Sequence, residues 1–182
     1  VKWTQLSNMH SIPEDCPARE RCGWLGDAQI SAETTIYNWD VQAFWRKYIG
    51  DIKTTRELRG LWAMIAPGKR LCAEATPAWG TAQVQLPWYL YVYYGDKEIL
   101  REHYGLMKGW VEHLVGKSEG YIVSYGLGDW CPPGGNENMK APVPLTSTGY
   151  LYYDACIMAK VAGILGYESD AEKYKDLAAK IK

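Results

Sequence analysis

Two connections in this chain are short and built alike while the others are long, and that alternation constrains the fold more than any single helix. Tyr94-Gly95-Asp96-Lys97 and Leu165-Gly166-Tyr167-Glu168-Ser169 each put a glycine where a helix ends and a capping Asp or Ser at the next start. Residues 1–26, about 59–78 and 118–147 form longer connections rich in Gly, Pro, Trp and acids. Short links alternating with long ones make helical hairpins whose long loops all emerge at one end, the end that usually carries function. About three such hairpins fit, half of a closed ring of six.

Apolar spacing fills in the helices. Ile30, Thr34, Tyr37, Val41, Phe44, Trp45 and Tyr48 predict one helix from Asp27 to about Ile49, with a short continuation from Asp51 to Leu58. Trp79–Tyr94 reads as a buried helix kinked at Pro87. Lys97–Val115 and Thr148–Leu165 follow, and an amphipathic helix runs from Asp170 to the end. Only Gly120–Tyr125 alternates like a strand. The class is all-α, with one domain over 1–182: an acidic motif loop over 1–26, then helical hairpins.

Composition excludes several functions. At 182 residues with 47% hydrophobic and 23% charged residues, the chain is globular and not disordered. A net charge of −1 without a basic stripe argues against nucleic acid or an anionic membrane as partner. No apolar run approaches the roughly 20 residues that span a bilayer. Five cysteines, an odd number, suggest free thiols and no disulfide framework. His10, His103 and His113 do not cluster with cysteines, so no metal and no cofactor is expected. Motifs for acyl or phosphoryl transfer and for dinucleotide binding are lacking. Val1 is not an initiator Met, and the last helix stops without a Gly or Pro, so the chain reads as an internal piece of a larger protein.

The aromatic set is 9 Trp, 14 Tyr and a single Phe, which favours flat faces carrying a polar handle, as sugars require. The densest polar segment, Glu14-Asp15-Cys16-Pro17-Ala18-Arg19-Glu20-Arg21-Cys22-Gly23-Trp24-Leu25-Gly26-Asp27, precedes the first long helix. By spacing it fits either a salt-bridged loop capped by Asp27 or a crowded acid site. In the second reading, neighbouring carboxylates raise one another's pKa and leave a proton for glycosidic cleavage.

This segment resembles the signature of bacterial α-L-rhamnosidases of glycoside hydrolase family 78, D-C-P-x-R-(x)-E-[RK]-x-G-W-x-G-D. Trp79-Gly80, Pro87-Trp88, Leu90-Tyr91, Tyr94-Gly95-Asp96, Gly128-Asp129-Trp130 and Thr148–Tyr153 resemble later stretches of that family in order. The resemblance implies an (α/α)6 barrel, of which this chain covers roughly the first half. It also implies removal of terminal α-L-rhamnose from a rhamnose-containing carbohydrate, with inversion. Glu20 falls on the general acid; Asp15, Arg19, Trp24 and Asp27 fall on rhamnose-holding positions. Trp79, Trp88, Asp129 and Trp130 match further positions near the sugar. Thr81 departs from members with Asp there, which puts one sugar contact in question. The family's general base is a Glu far downstream that no residue here matches, so the isolated chain is expected not to catalyse. Its apolar faces would then meet the remainder of the barrel or a second copy. A six-hairpin glycosidase of other specificity and a non-catalytic glycan-binding barrel stay open as alternatives. The compartment is open between bacterial cytoplasm and periplasm.

Overall fold

The computed structural model describes residues 1–68, 73–135, 138 and 140–182; Cys72 lies outside the described residues. Its helices are α1 (Lys2–Ser7), α2 (Leu25–Asn38), α3 (Gln42–Arg59), α4 (Pro77–Gly80), α5 (Ala82–Tyr94), α6 (Lys97–Gly116), α7 (Val143–Leu165) and α8 (Glu168–Ile181). Among the described residues these form three hairpins, α2–α3, α5–α6 and α7–α8. The first helices of the hairpins pack as one layer, α2 on α5 and α5 on α7, with the second helices outside them. The long connections 1–24, 60–76 and 117–142 therefore all deliver the chain to the N-terminal ends of the inner helices. No helix among the described residues is long and apolar enough to cross a membrane.

Gly95 (φ 69°) and Gly166 (φ 81°) end α5 and α7 in the left-handed conformation that the sequence assigned to them. A third tight link, at residues 39–41, replaces the long helix expected from Asp27 to Ile49. It carries neither Gly nor Pro, and distant groups hold it. The Trp39 indole donates to Gln5 Oε1 at 3.0 Å, and the Val41 N–H donates to the Tyr94 hydroxyl at 3.2 Å. The break also changes which residues are buried. Ala28, Ala32 and Thr35 of α2 pack inward, while Ile30 and Tyr37 are exposed.

Two further expectations are corrected. Gly120–Tyr125 is no strand: Glu119 and Ile122 exchange both backbone hydrogen bonds at 2.9 Å around a tight turn, and Val123 is buried. Helix α7 starts at Val143, ahead of Thr148, because Pro144 sits in the first turn, where no intrahelical N–H is needed. Helix α5 runs through the buried Pro87 without interruption.

Asp96 shows how one side chain fixes a hairpin. It caps α6 by accepting from the Ile99 N–H at 3.1 Å, and it accepts from Arg46 at 2.5 Å and Gln42 at 3.0 Å on α3. Burial alone would raise its pKa, but the bonds from Arg46, Gln42 and Ile99 together hold it below the ordinary 3.8. We expect Asp96→Ala to cost about 2 kcal/mol near neutral pH, from one cap and one charge-assisted pair. An acid whose pKa is depressed by folding contributes fully above its unfolded value and loses that contribution as pH falls through the folded one. Urea unfolding of both forms at pH 7 and pH 3 should show the gap narrowing at the lower pH.

Candidate active site

The acidic motif is a loop tied at both ends of its turn. Asp15 Oδ1 accepts from the Cys22 N–H at 2.9 Å, and the Asp15 N–H donates to the Cys22 carbonyl at 3.0 Å. Within this ring the Glu20 N–H donates to Cys16 Sγ at 3.2 Å, and Arg21 Nε donates to the Pro17 carbonyl at 2.8 Å. The exit strand of the loop is clamped from two sides. The Tyr48 hydroxyl on α3 donates to the Gly23 carbonyl at 2.8 Å. The 60–76 connection pairs with the same stretch, Leu25 N–H to Met64 carbonyl and Ala66 N–H to Gly23 carbonyl, both 2.9 Å. Helix α2 begins at once, with Asp27 in its first turn.

Glu20 is gripped through its carboxyl group. Oε2 accepts from the Trp24 indole N–H at 2.7 Å, and Oε1 accepts from Arg19 Nη2 at 3.2 Å. The Arg19 side chain is 82% exposed and that of Glu20 24%. Asp15, Arg19, Glu20, Trp24, Asp27, Trp79 and Trp130 line one open depression of about 390 Å³, with Met64, Leu127 and Cys131 completing it. An adjoining depression, also about 390 Å³, shares Asp27, Trp79 and Trp130 and adds Asp129 and Tyr150. Trp88 lines neither. It lies along α5, tilted against Tyr91 at 5.7 Å, with the Lys160 ammonium over its ring.

The carboxylate crowding expected from the sequence falls on Asp27. That side chain opens onto the cleft. Burial raises its pKa above the ordinary carboxylate value; a backbone hydrogen bond opposes this, and the charges of Asp15 and Glu20 raise it further. Asp27 thus holds its proton to higher pH than a solvated carboxyl.

The Trp79 ring lies flat against α2, because Gly26 leaves room for it: a Cβ there would come within 2.6 Å of the indole. Thr81, next along, makes no contact with the cleft. It is fully buried, donates to Asp154 Oδ1 at 2.5 Å and accepts from Gln85 at 2.8 Å, while Trp110 donates to Asp154 Oδ2 at 3.1 Å. Burial pushes the Asp154 carboxyl well up, and these two donors offset that only in part. The site therefore stands on a buried polar knot beneath Trp79. Met64 and Leu127 escaped the sequence reading, since they reach the cleft from separate elements and carry no charge or motif, and Tyr150 was read only as part of the Thr148–Tyr153 helix. Among the described residues, no three His, Cys, Asp or Glu side chains form a metal-ligand group.

Fold and cleft together define a helical-hairpin ring domain with an acidic, tryptophan-lined cleft at the mouth of its inner helices. Residues 1–182 match the family described as the bacterial alpha-L-rhamnosidase 6 hairpin glycosidase domain. An alpha-L-rhamnosidase of Formosa agariphila is 43% identical over 168 residues, covering 84% of this chain and 18% of that protein. The structure of alpha-L-rhamnosidase from Dictyoglumus thermophilum superposes with a TM-score of 0.91 at 45% identity, covering 99% of this chain and 20% of that one. The Streptomyces avermitilis alpha-L-rhamnosidase complexed with L-rhamnose gives a TM-score of 0.90 at 32% identity, covering 99% of this chain and 17% of that one. The chain belongs to the bacterial α-L-rhamnosidase six-hairpin glycosidase domain family. It spans about a fifth of the length of these relatives.

Proposed function

We propose that this chain forms the acid-bearing half of an α-L-rhamnosidase active site, completed by the remaining hairpins of a six-hairpin domain. The observation that carries this reading is the Glu20 carboxyl, held at one oxygen by Trp24 inside a cleft shared with Asp15, Arg19 and Asp27. Glu20 gives its proton to the glycosidic oxygen as the C–O bond breaks and the bonding pair leaves with the aglycone. Water attacks the anomeric carbon from the opposite face, and a second carboxylate takes the proton that the water loses. In an inverting enzyme that base stands roughly 6.5–9.5 Å from the acid, leaving room for the water. Arg19 donates to sugar hydroxyls, and Asp15 and Asp27 accept from them. Trp24, Trp79 and Trp130 offer aromatic faces to the ring and its methyl group. We assign Trp88 and Asp129 no direct step; Asp129 borders the second depression.

The need for further hairpins is supported by apolar side chains that the inner layer leaves exposed. Ile30 and Tyr37 on α2 are 73% and 72% exposed, and Leu145 on α7 is 68% exposed. Such exposed apolar side chains call for a covering partner. The test is a panel of p-nitrophenyl glycosides presented to the complete domain. The rhamnoside should exceed the α-L-fucoside and α-D-mannoside by about 100-fold in kcat/KM, the scale that misplaced hydroxyls and a methyl pocket set. Equal rates, or preference for another sugar, would favour a different specificity. Binding without turnover of any substrate would favour a glycan-binding barrel.

A further inference from the structure

We propose that Trp24 is a positioning residue for the acid step, acting through its indole N–H on Glu20 in addition to offering a ring face to the sugar. This rests on the reading of Glu20 as general acid. The indole nitrogen is a donor only. The oxygen it holds at 2.7 Å, Oε2, therefore stays a lone-pair acceptor whether or not Glu20 is protonated. The transferable proton then belongs on Oε1, which the Arg19 guanidinium, also a donor only, must leave before the proton sits there. That Arg19 contact is longer, at 3.2 Å, and lies on a solvated side chain free to turn to a sugar hydroxyl.

Trp24 is itself fixed where a side chain that aims another must be. The backbone on both sides of it is clamped by Tyr48, Met64 and Ala66. The indole thus sets which carboxyl oxygen delivers the proton and in which direction. A ring that only stacked on the sugar would impose neither. Acid aim matters in proportion to how much protonation the leaving group needs, so the role predicts a dependence on the leaving group.

The experiment compares Trp24→Phe with the parent in the complete domain, on phenyl and 2,4-dinitrophenyl α-L-rhamnosides. Phenylalanine keeps an aromatic face and deletes the donor. On the phenyl substrate, whose departure needs the proton, kcat should fall about 30–100-fold, a part of the roughly 10²–10⁴-fold that general acid catalysis supplies. On the dinitrophenyl substrate it should fall less than about 3-fold, with KM for both within about 3-fold of the parent. An equal fall on both substrates, or no fall on the phenyl one, overturns the proposal. Should Trp24→Phe fail to fold, 3-benzothienylalanine at position 24, which keeps both rings and lacks the N–H, is read by the same two rates. Glu20→Gln in the same assay separates the two claims. If its loss does not depend on the leaving group, the acid reading itself fails; if it does and that of Trp24→Phe does not, only the positioning role falls.

Discussion

Glu20→Gln in the complete domain should lower kcat on phenyl α-L-rhamnoside by about 10³-fold or more, close to the full contribution of a positioned acid. The amide is nearly the same size and can still accept at one oxygen from the Trp24 indole, so the loop keeps its closure. That closure depends on Asp15 with Cys22 and on the clamp at Gly23 and Leu25, none of which uses the Glu20 carboxyl. Rhamnose affinity, read by calorimetry, should therefore stay within a few-fold of the parent. Turnover near the parental rate would remove Glu20 from the chemistry. Loss of turnover together with loss of rhamnose binding would make it a sugar-holding group.

The second large effect is on stability. Gly80→Ala should destabilise the domain by about 3 kcal/mol, the upper part of the range for overpacking a core. An added Cβ would lie 2.1 Å from two carbons of the Trp110 ring. That ring cannot retreat. It is fully buried, its N–H is bonded to Asp154, it meets Trp62 edge-on at 5.6 Å and it stacks on His113. The strain must pass instead into the backbone that carries Trp79 and Thr81, so cleft and core move together. For a unit of this size the thermal midpoint should fall by roughly 6–12 °C. A change within 2 °C would show that the contact relaxes without cost.

The sequence disclosed features whose causes are local. Gly95 and Gly166 mark helix ends because a left-handed residue is needed there, and the motif from Asp15 to Asp27 is contiguous, so its members had to meet. The turn at residues 39–41 was hidden because its partners, Gln5 and Tyr94, are remote in sequence. The strand-like spacing at Gly120–Tyr125 gave way to a tight turn that buries Val123. Thr81 could be flagged as a departure, but its role could not be read, since Asp154 and Trp110 arrive from α7 and α6. Trp24 fell on a rhamnose-holding position by resemblance, whereas its bond to Glu20 depends on how the loop closes. Trp88 follows a motif along α5 yet lines neither depression, because helical geometry turns it toward Tyr91 and Lys160.

An acid on this segment and a second carboxylate from outside it fix the stereochemistry of the product. The anomer released first by the complete domain, followed by proton NMR during hydrolysis of p-nitrophenyl α-L-rhamnoside, tests this directly. β-L-Rhamnose should appear before mutarotation mixes the anomers, since a base roughly 6.5–9.5 Å from Glu20 activates water on the opposite face. If α-L-rhamnose appeared first, the reaction would retain configuration through a nucleophile only about 5–5.5 Å from Glu20. Asp15 and Asp27, in the same cleft, would then be the carboxylates to suspect, and the division of acid and base between two halves of the barrel would be wrong.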